Sequence, residues 1–186
     1  MKKAAHLCVM ILLCMIANSQ QKPIKPLAIG DKMPDLEFNT VLNYTQSKVR
    51  LSDFKGKTIL IEFWASWCST CLKMFPKLDS LQNALGNKIQ VLLVNSQVND
   101  RGIKGEKFFQ NWKEKNNTAF SVPSIMNDSI LKKMLPHKYI PSSVIINPEG
   151  DITAFISPLF LSEDLLRAFI KEPESSIVAD HKTTKN

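Results

Sequence analysis

The chain has 186 residues, 44% of them hydrophobic, which is enough to bury the core of one ordinary domain without covalent staples. Its formal charge of +7 is carried by lysines scattered along the chain rather than clustered with aromatics on one face, so composition argues against nucleic-acid binding. Of its four Cys only Cys68 and Cys71, three positions apart, lie outside the N-terminal 19 residues, which is no disulfide scaffold.

Residues 1–19 read as a secretory signal peptide: Lys2 and Lys3, an apolar run over 4–17, then Ala17-Asn18-Ser19 as the cleavage site. The run is shorter than the ~20 residues that span a bilayer comfortably, so export of a cleaved chain is expected, with an uncleaved membrane anchor as the alternative. Leu7 and Leu13 precede Cys8 and Cys14, where a lipoprotein needs a small residue, so lipidation is not expected. Both of these Cys leave with the signal, and Cys68 and Cys71 remain.

Residues 20–32 contain Pro23, Pro26 and Gly30 and no sustained period, which predicts an extended lead-in. A single domain is expected over 33–172. Within it, 36–39 and 48–51 predict two short strands of a hairpin turned at Asn43 and Tyr44, followed by a turn or short helix from Leu51. Residues 58–64 form a nearly continuous apolar, β-rich run, as expected of a strand covered on both faces, with Glu62 as its anomaly.

After Cys68, Leu72, Phe75, Leu78, Leu81 and Leu85 recur every three or four positions, which predicts a helix ended by Gly86. Further strands are expected at 89–94 and 120–125, with a helix over 105–116 between them. Residues 143–147 and 152–156 flank Pro148-Glu149-Gly150 and predict a hairpin; a helix over 162–171 follows, with Ser162 able to cap it. The polar stretch 173–186 predicts a disordered tail. The resulting fold class is α/β, with a central mixed sheet, parallel early and antiparallel at the end.

Cys68-Ser69-Thr70-Cys71 at the first turn of a helix has a definite chemistry. Unpaired backbone N–H groups and the helix dipole favour a thiolate on the N-terminal Cys, which makes Cys68 the expected nucleophile. Cys71, one turn further in, can attack a mixed disulfide on Cys68 and release the substrate, so it is the expected resolving thiol. Structural zinc needs four ligands, and beyond this pair the processed chain offers only His137 and His181, so neither metal nor cofactor is expected. A staple across two residues closes too small a loop to stabilise much.

The segment Ile61-Glu62-Phe63-Trp64-Ala65-Ser66-Trp67-Cys68-Ser69-Thr70-Cys71 resembles the active-site segment of thioredoxins. Pro76 resembles the proline that bends the active-site helix of that family, and Ile140-Pro141-Ser142 resembles its cis-proline loop. The export signal and the early hairpin make the chain similar to the exported TlpA/ResA branch of the thioredoxin-like superfamily. That resemblance implies a thioredoxin-like fold with an N-terminal β-hairpin extension, protein disulfides as substrates and a membrane electron donor. It also implies a cis Pro141 whose loop, with Ile140, presents backbone to an extended substrate; Trp67, next to Cys68, reads either as a core aromatic or as a side chain that shields the thiol and meets substrates.

Glu62 aligns with a buried acid that moves a proton to or from the resolving Cys; burial would raise its pKa toward neutrality, as such a task requires. One departure stands out: the ResA type often has a Glu three residues after its second Cys, where this chain has Met74. His137 reads as a surface residue or as a neighbour of the site. Four functions remain open: a protein disulfide reductase, which the resemblance favours; an oxidant or isomerase; a thiol peroxidase, although Ala65-Ser66 lacks the expected Pro and Thr or Ser; and a non-catalytic binding module of the same fold.

Overall fold

The computed structural model describes residues 23–97, 100, 103 and 105–170. The expected signal peptide and the polar tail lie outside the described residues.

Two strands, β4 (Thr58–Trp64) and β5 (Ile89–Asn95), run parallel through the centre of a six-stranded sheet, and every residue of both is buried. Burial of both faces explains their unbroken apolar sequences. Flanking them are β6 (Ser124–Ile125), parallel to β5, and β7 (Ser142–Ile146), antiparallel to β4. With β2 (Val41–Leu42) and β8 (Ile152–Ile156) at the edges, the order is β2-β6-β5-β4-β7-β8. The predicted thioredoxin-like mixed sheet is present.

Alternation along β4 divides the core in two. Leu60 and Trp64 face α1 (Ser69–Leu85), whose Phe75, Leu78, Leu81 and Leu85 are buried against the sheet. Ile59, Ile61 and Phe63 face the other layer, where Leu51, Phe54, Leu131 and Leu135 cover them. A strand's side chains alternate between faces, so Glu62 shares the α1 face with Leu60 and Trp64.

The N-terminal strand pair forms from β1 (Glu37–Phe38) and β3 (Val49–Arg50), antiparallel as expected. Between them, however, β2 is not part of a simple hairpin turn: Val41 and Leu42 pair with Ile125 and Ser124 at the edge of the main sheet. Asn43, at a φ of 57°, turns the chain back and donates its Nδ2 to the Val122 carbonyl at 2.8 Å. The sheet therefore has an antiparallel strand at this edge too, where the sequence predicts antiparallel pairing only at its end.

Three boundaries differ from the sequence-based expectation. The strand expected over 120–125 is confined to Ser124–Ile125, because Pro123 has no N–H for a ladder. The helix expected from Gly105 begins later, as α2 (Lys107–Asn116), since Gly105 holds a φ of 60°. A short α3 (Ile130–Met134), which no periodicity announces, starts where Asp128 accepts the Leu131 N–H at 2.6 Å. The final helix, α4 (Glu163–Phe169), begins as expected, with the Ser162 hydroxyl accepting the Leu165 N–H. The extended stretch before β1 is tied to the sheet by Gly30 N–H to Ile152 O at 2.8 Å and by a Lys32–Asp151 ion pair at 2.7 Å.

Candidate active site

Cys68 is the N-cap of α1, and Cys68 and Cys71 form a disulfide with Cα atoms 5.3 Å apart. The Cys71 N–H points at the Cys68 sulfur, 3.2 Å away. An N-cap side chain normally accepts such a helix-end donor, so the fold gives a thiolate on Cys68 a ready partner in addition to the helix dipole. Cys71 is 1% exposed and Cys68 6%, so any access favours the N-terminal sulfur.

Trp64 and Trp67, three residues apart, differ sharply. Trp64 is buried among Phe75, Phe108 and Phe109, with its indole N–H on the Ser124 hydroxyl at 3.0 Å. Trp67, next to Cys68, is 67% exposed.

The Ile140–Pro141 peptide is cis, and Ser142 pairs with Phe63 one residue before the end of β4. The cis-proline loop thus lies beside the strand end from which the chain runs to Cys68. Ile140 is half-buried against both core clusters, and Tyr139 beside it is largely exposed.

Glu62 is buried, and its Oε2 accepts a hydrogen bond from the hydroxyl of Ser143, its direct partner across the β4–β7 ladder. Among the described residues its Oε1 has no partner. Burial pushes the carboxyl up to about 8, with the Ser143 hydroxyl opposing the rise. Such a group holds its proton at neutral pH and can still lose it.

His137 stacks on Phe63 with ring centroids 4.0 Å apart, on the face of β4 opposite Glu62, and its Nδ1 is 3.1 Å from the Leu135 carbonyl. Burial lowers its pKa, so it brings little positive charge to the thiol pair at neutral pH. Met74 is buried on α1 in the apolar cluster, where an acid would lack a partner.

Two features of the site escape sequence reasoning. Ser143 is invisible as a partner because the pairing spans 81 residues; only its place opposite Glu62 in the sheet register reveals it. Likewise, Asp100 accepts the Ser66 N–H at 2.7 Å and the Ser66 hydroxyl, and takes the Asn95 side-chain N–H at 2.9 Å. It fastens the loop before Cys68 to the end of β5, and no local pattern marks it.

Comparison with known proteins agrees with this geometry. The family model described as Redoxin matches residues 28–156. The thiol-disulfide oxidoreductase ResA of Oceanobacillus iheyensis is 26% identical over 160 residues, covering 84% of this chain and 79% of that protein. The exposed lipoprotein thioredoxin Etrx1 of Streptococcus pneumoniae is 29% identical with a TM-score of 0.56, over 73% of this chain and 98% of that one. A putative thiol-disulfide oxidoreductase from Bacteroides vulgatus is 25% identical with a TM-score of 0.59, over 77% and 97%. With a redox-type CxxC at the head of α1, a cis proline just before β7 and this match over most of its length, the chain belongs to the redoxin family, among thiol–disulfide oxidoreductases of thioredoxin-like fold.

Proposed function

We propose that the protein is an exported protein disulfide reductase that cycles between the Cys68–Cys71 disulfide and the dithiol. The observation that carries this is the placement of Cys68 at the N-cap of α1, with the Cys71 N–H on its sulfur. In the reduced protein the Cys68 thiolate attacks one sulfur of a substrate disulfide; the substrate S–S bond breaks and its other sulfur leaves as a thiolate. Cys71 then gives up its proton and attacks the Cys68 sulfur, forming the Cys68–Cys71 bond and expelling the second substrate sulfur. Two electrons pass to the substrate, and a membrane donor returns them.

Glu62 is the proposed proton carrier for Cys71. A carboxyl with a pKa of about 8 lies close to that of a free thiol, ~8.5, so a proton passes between them in either direction at little cost. Trp67, Ile140 and Pro141 form the proposed substrate-binding surface, an exposed indole next to Cys68 in sequence and the cis-proline backbone at the start of β7. The signal-like sequence of residues 1–19 supports export, and among the described residues no helix is long and apolar enough to cross a membrane.

The reducing direction follows the resemblance to the TlpA/ResA branch, and it has a direct test. Equilibration with glutathione should give a reduction potential near that of a reducing thioredoxin, about −270 mV. A value near the roughly −120 mV of a strong oxidant would assign the protein to disulfide formation instead.

A further inference from the structure

We infer that Ser143 is a positioning residue for proton transfer, its hydroxyl holding one oxygen of the Glu62 carboxyl so that the other, Oε1, is the atom that exchanges a proton with the thiol pair. This rests on the proposal that Glu62 is the proton carrier for Cys71.

Three observations support the assignment. Ser143 is fully buried on a strand otherwise made of apolar residues beyond Ser142, and its hydroxyl is directed to Glu62 Oε2. The two residues stand directly opposite in an antiparallel ladder, a register that fixes their side chains on the same face. And among the described residues Glu62 Oε1 is a buried carboxyl oxygen with no partner, the kind of unsatisfied group that native proteins seldom keep without a use.

A serine suits both states of the acid. Its O–H donates to Oε2 both when the group is ionised and when the acid carries its proton on Oε1, so the carboxyl can stay oriented while its proton comes and goes. A hydrophobic residue in the same place would leave both oxygens unsatisfied and the carboxyl free to turn. Ser143 also lies two residues beyond Pro141, so one strand carries both the substrate-facing loop and the residue that orients the acid.

The surroundings make the effect readable. After reduction, Glu62 and the thiols of Cys68 and Cys71 are the titratable groups that β4 and the head of α1 bring to this face; among the described residues α2, packed on the same face, adds the exposed Lys107, Glu114 and Lys115 and a Lys113 that donates to Asn43, and Asp100 is held by Ser66 and Asn95. Strands β5, β7 and β8 contain no titratable residue. On α1, Lys73 and Lys77 are exposed and Asp79 bonds to Ser121; on α4, Glu163 pairs with Arg167, and Asp164 is exposed. His137 lies across the sheet, on Phe63.

The test uses the reduced full-length protein and Ellman's reagent, whose first chromophore is released by attack of Cys68 and whose second is released when Cys71 resolves the mixed disulfide. The pH profile of the second step should show an inflection that Glu62→Gln removes. In Ser143→Ala and Ser143→Gly that inflection should move up by about one pH unit, since the carboxylate loses its donor, whereas Ser143→Thr, which keeps a hydroxyl, should restore it. A 13C NMR titration of glutamate-labelled protein follows the same midpoint without relying on turnover. If Glu62→Gln removes the inflection but neither hydroxyl-free variant moves it, the role of Ser143 is overturned and that of Glu62 stands. If the inflection survives Glu62→Gln, the proton-carrier role falls, and this inference with it.

Discussion

Cys68 and Glu62 answer the same problem, that of holding a charge inside a thioredoxin-like core, in opposite ways. Cys68 stands at a helix end where an N–H and the dipole favour the anion; Glu62 stands in a strand buried on both faces, where the lack of solvent favours the neutral acid. The latter has a consequence for stability. Folding raises the Glu62 pKa from 4.5 to about 8, so between those values the folded protein binds a proton that the unfolded chain does not. Stability contributed by this group is therefore full below about pH 4.5, declines as pH rises toward 8 and levels off above it, a loss on the order of a few kcal/mol. Denaturant unfolding of the oxidised protein across this range should show that decline, and Glu62→Gln should flatten it; a slope unchanged by the substitution would place the titration elsewhere. At this scale Cys68, Cys71 and Glu62 are legible because each stands out locally: two thiols in CxxC spacing at a helix start, one acid in an apolar strand. Ser143 and Asp100 break no pattern, and their importance arises only from partners 81 and 34 residues away.

Helix α1 brings the pair to the sheet and must hold it there. Its anchor is Phe75, fully buried, with its ring centroid 4.9 Å from Phe120 and 5.2 Å from both Trp64 and Trp112. Phe75→Ala should cost about 3–5 kcal/mol in denaturant unfolding, whereas Lys77→Ala, on the exposed face of the same helix, should stay within about 0.5 kcal/mol. Equal effects would mean that the aromatic cluster does not anchor the helix. Pro76 sits on the exposed side one residue further on, so the missing N–H costs the helix a hydrogen bond without disturbing that cluster. The long elements, β4, β5 and α1, could be read from sequence because burial on both faces or on one stripe leaves a pattern many residues long. The short ones could not. β2 and β6 pair over two residues each, and α3 has only five; contacts across the fold determine them, with too few residues to show a period.

In the whole molecule, the parallel pair β4–β5 and the antiparallel β7 deliver three separate parts of the chain to one end of the sheet. The end of β4 leads to Cys68, β5 ends at Asn95 where Asp100 ties down the approach loop, and β7 begins directly after the cis proline. The fold class followed from the order of strands and helices, and the cis peptide at Pro141 followed from family resemblance rather than from any spacing. All of the proposed chemistry rests on an asymmetry between two cysteines in one turn of helix: Cys68 receives the substrate and Cys71 releases it. The most direct measurement is covalent trapping on a disulfide-bonded protein such as insulin. Reduced Cys71→Ser should accumulate a mixed disulfide through Cys68 that does not resolve, reduced Cys68→Ser should accumulate little, and Cys68→Ala should not turn over. Equal trapping by the two single variants, or sustained reduction of insulin by Cys68→Ala, would contradict the assignment.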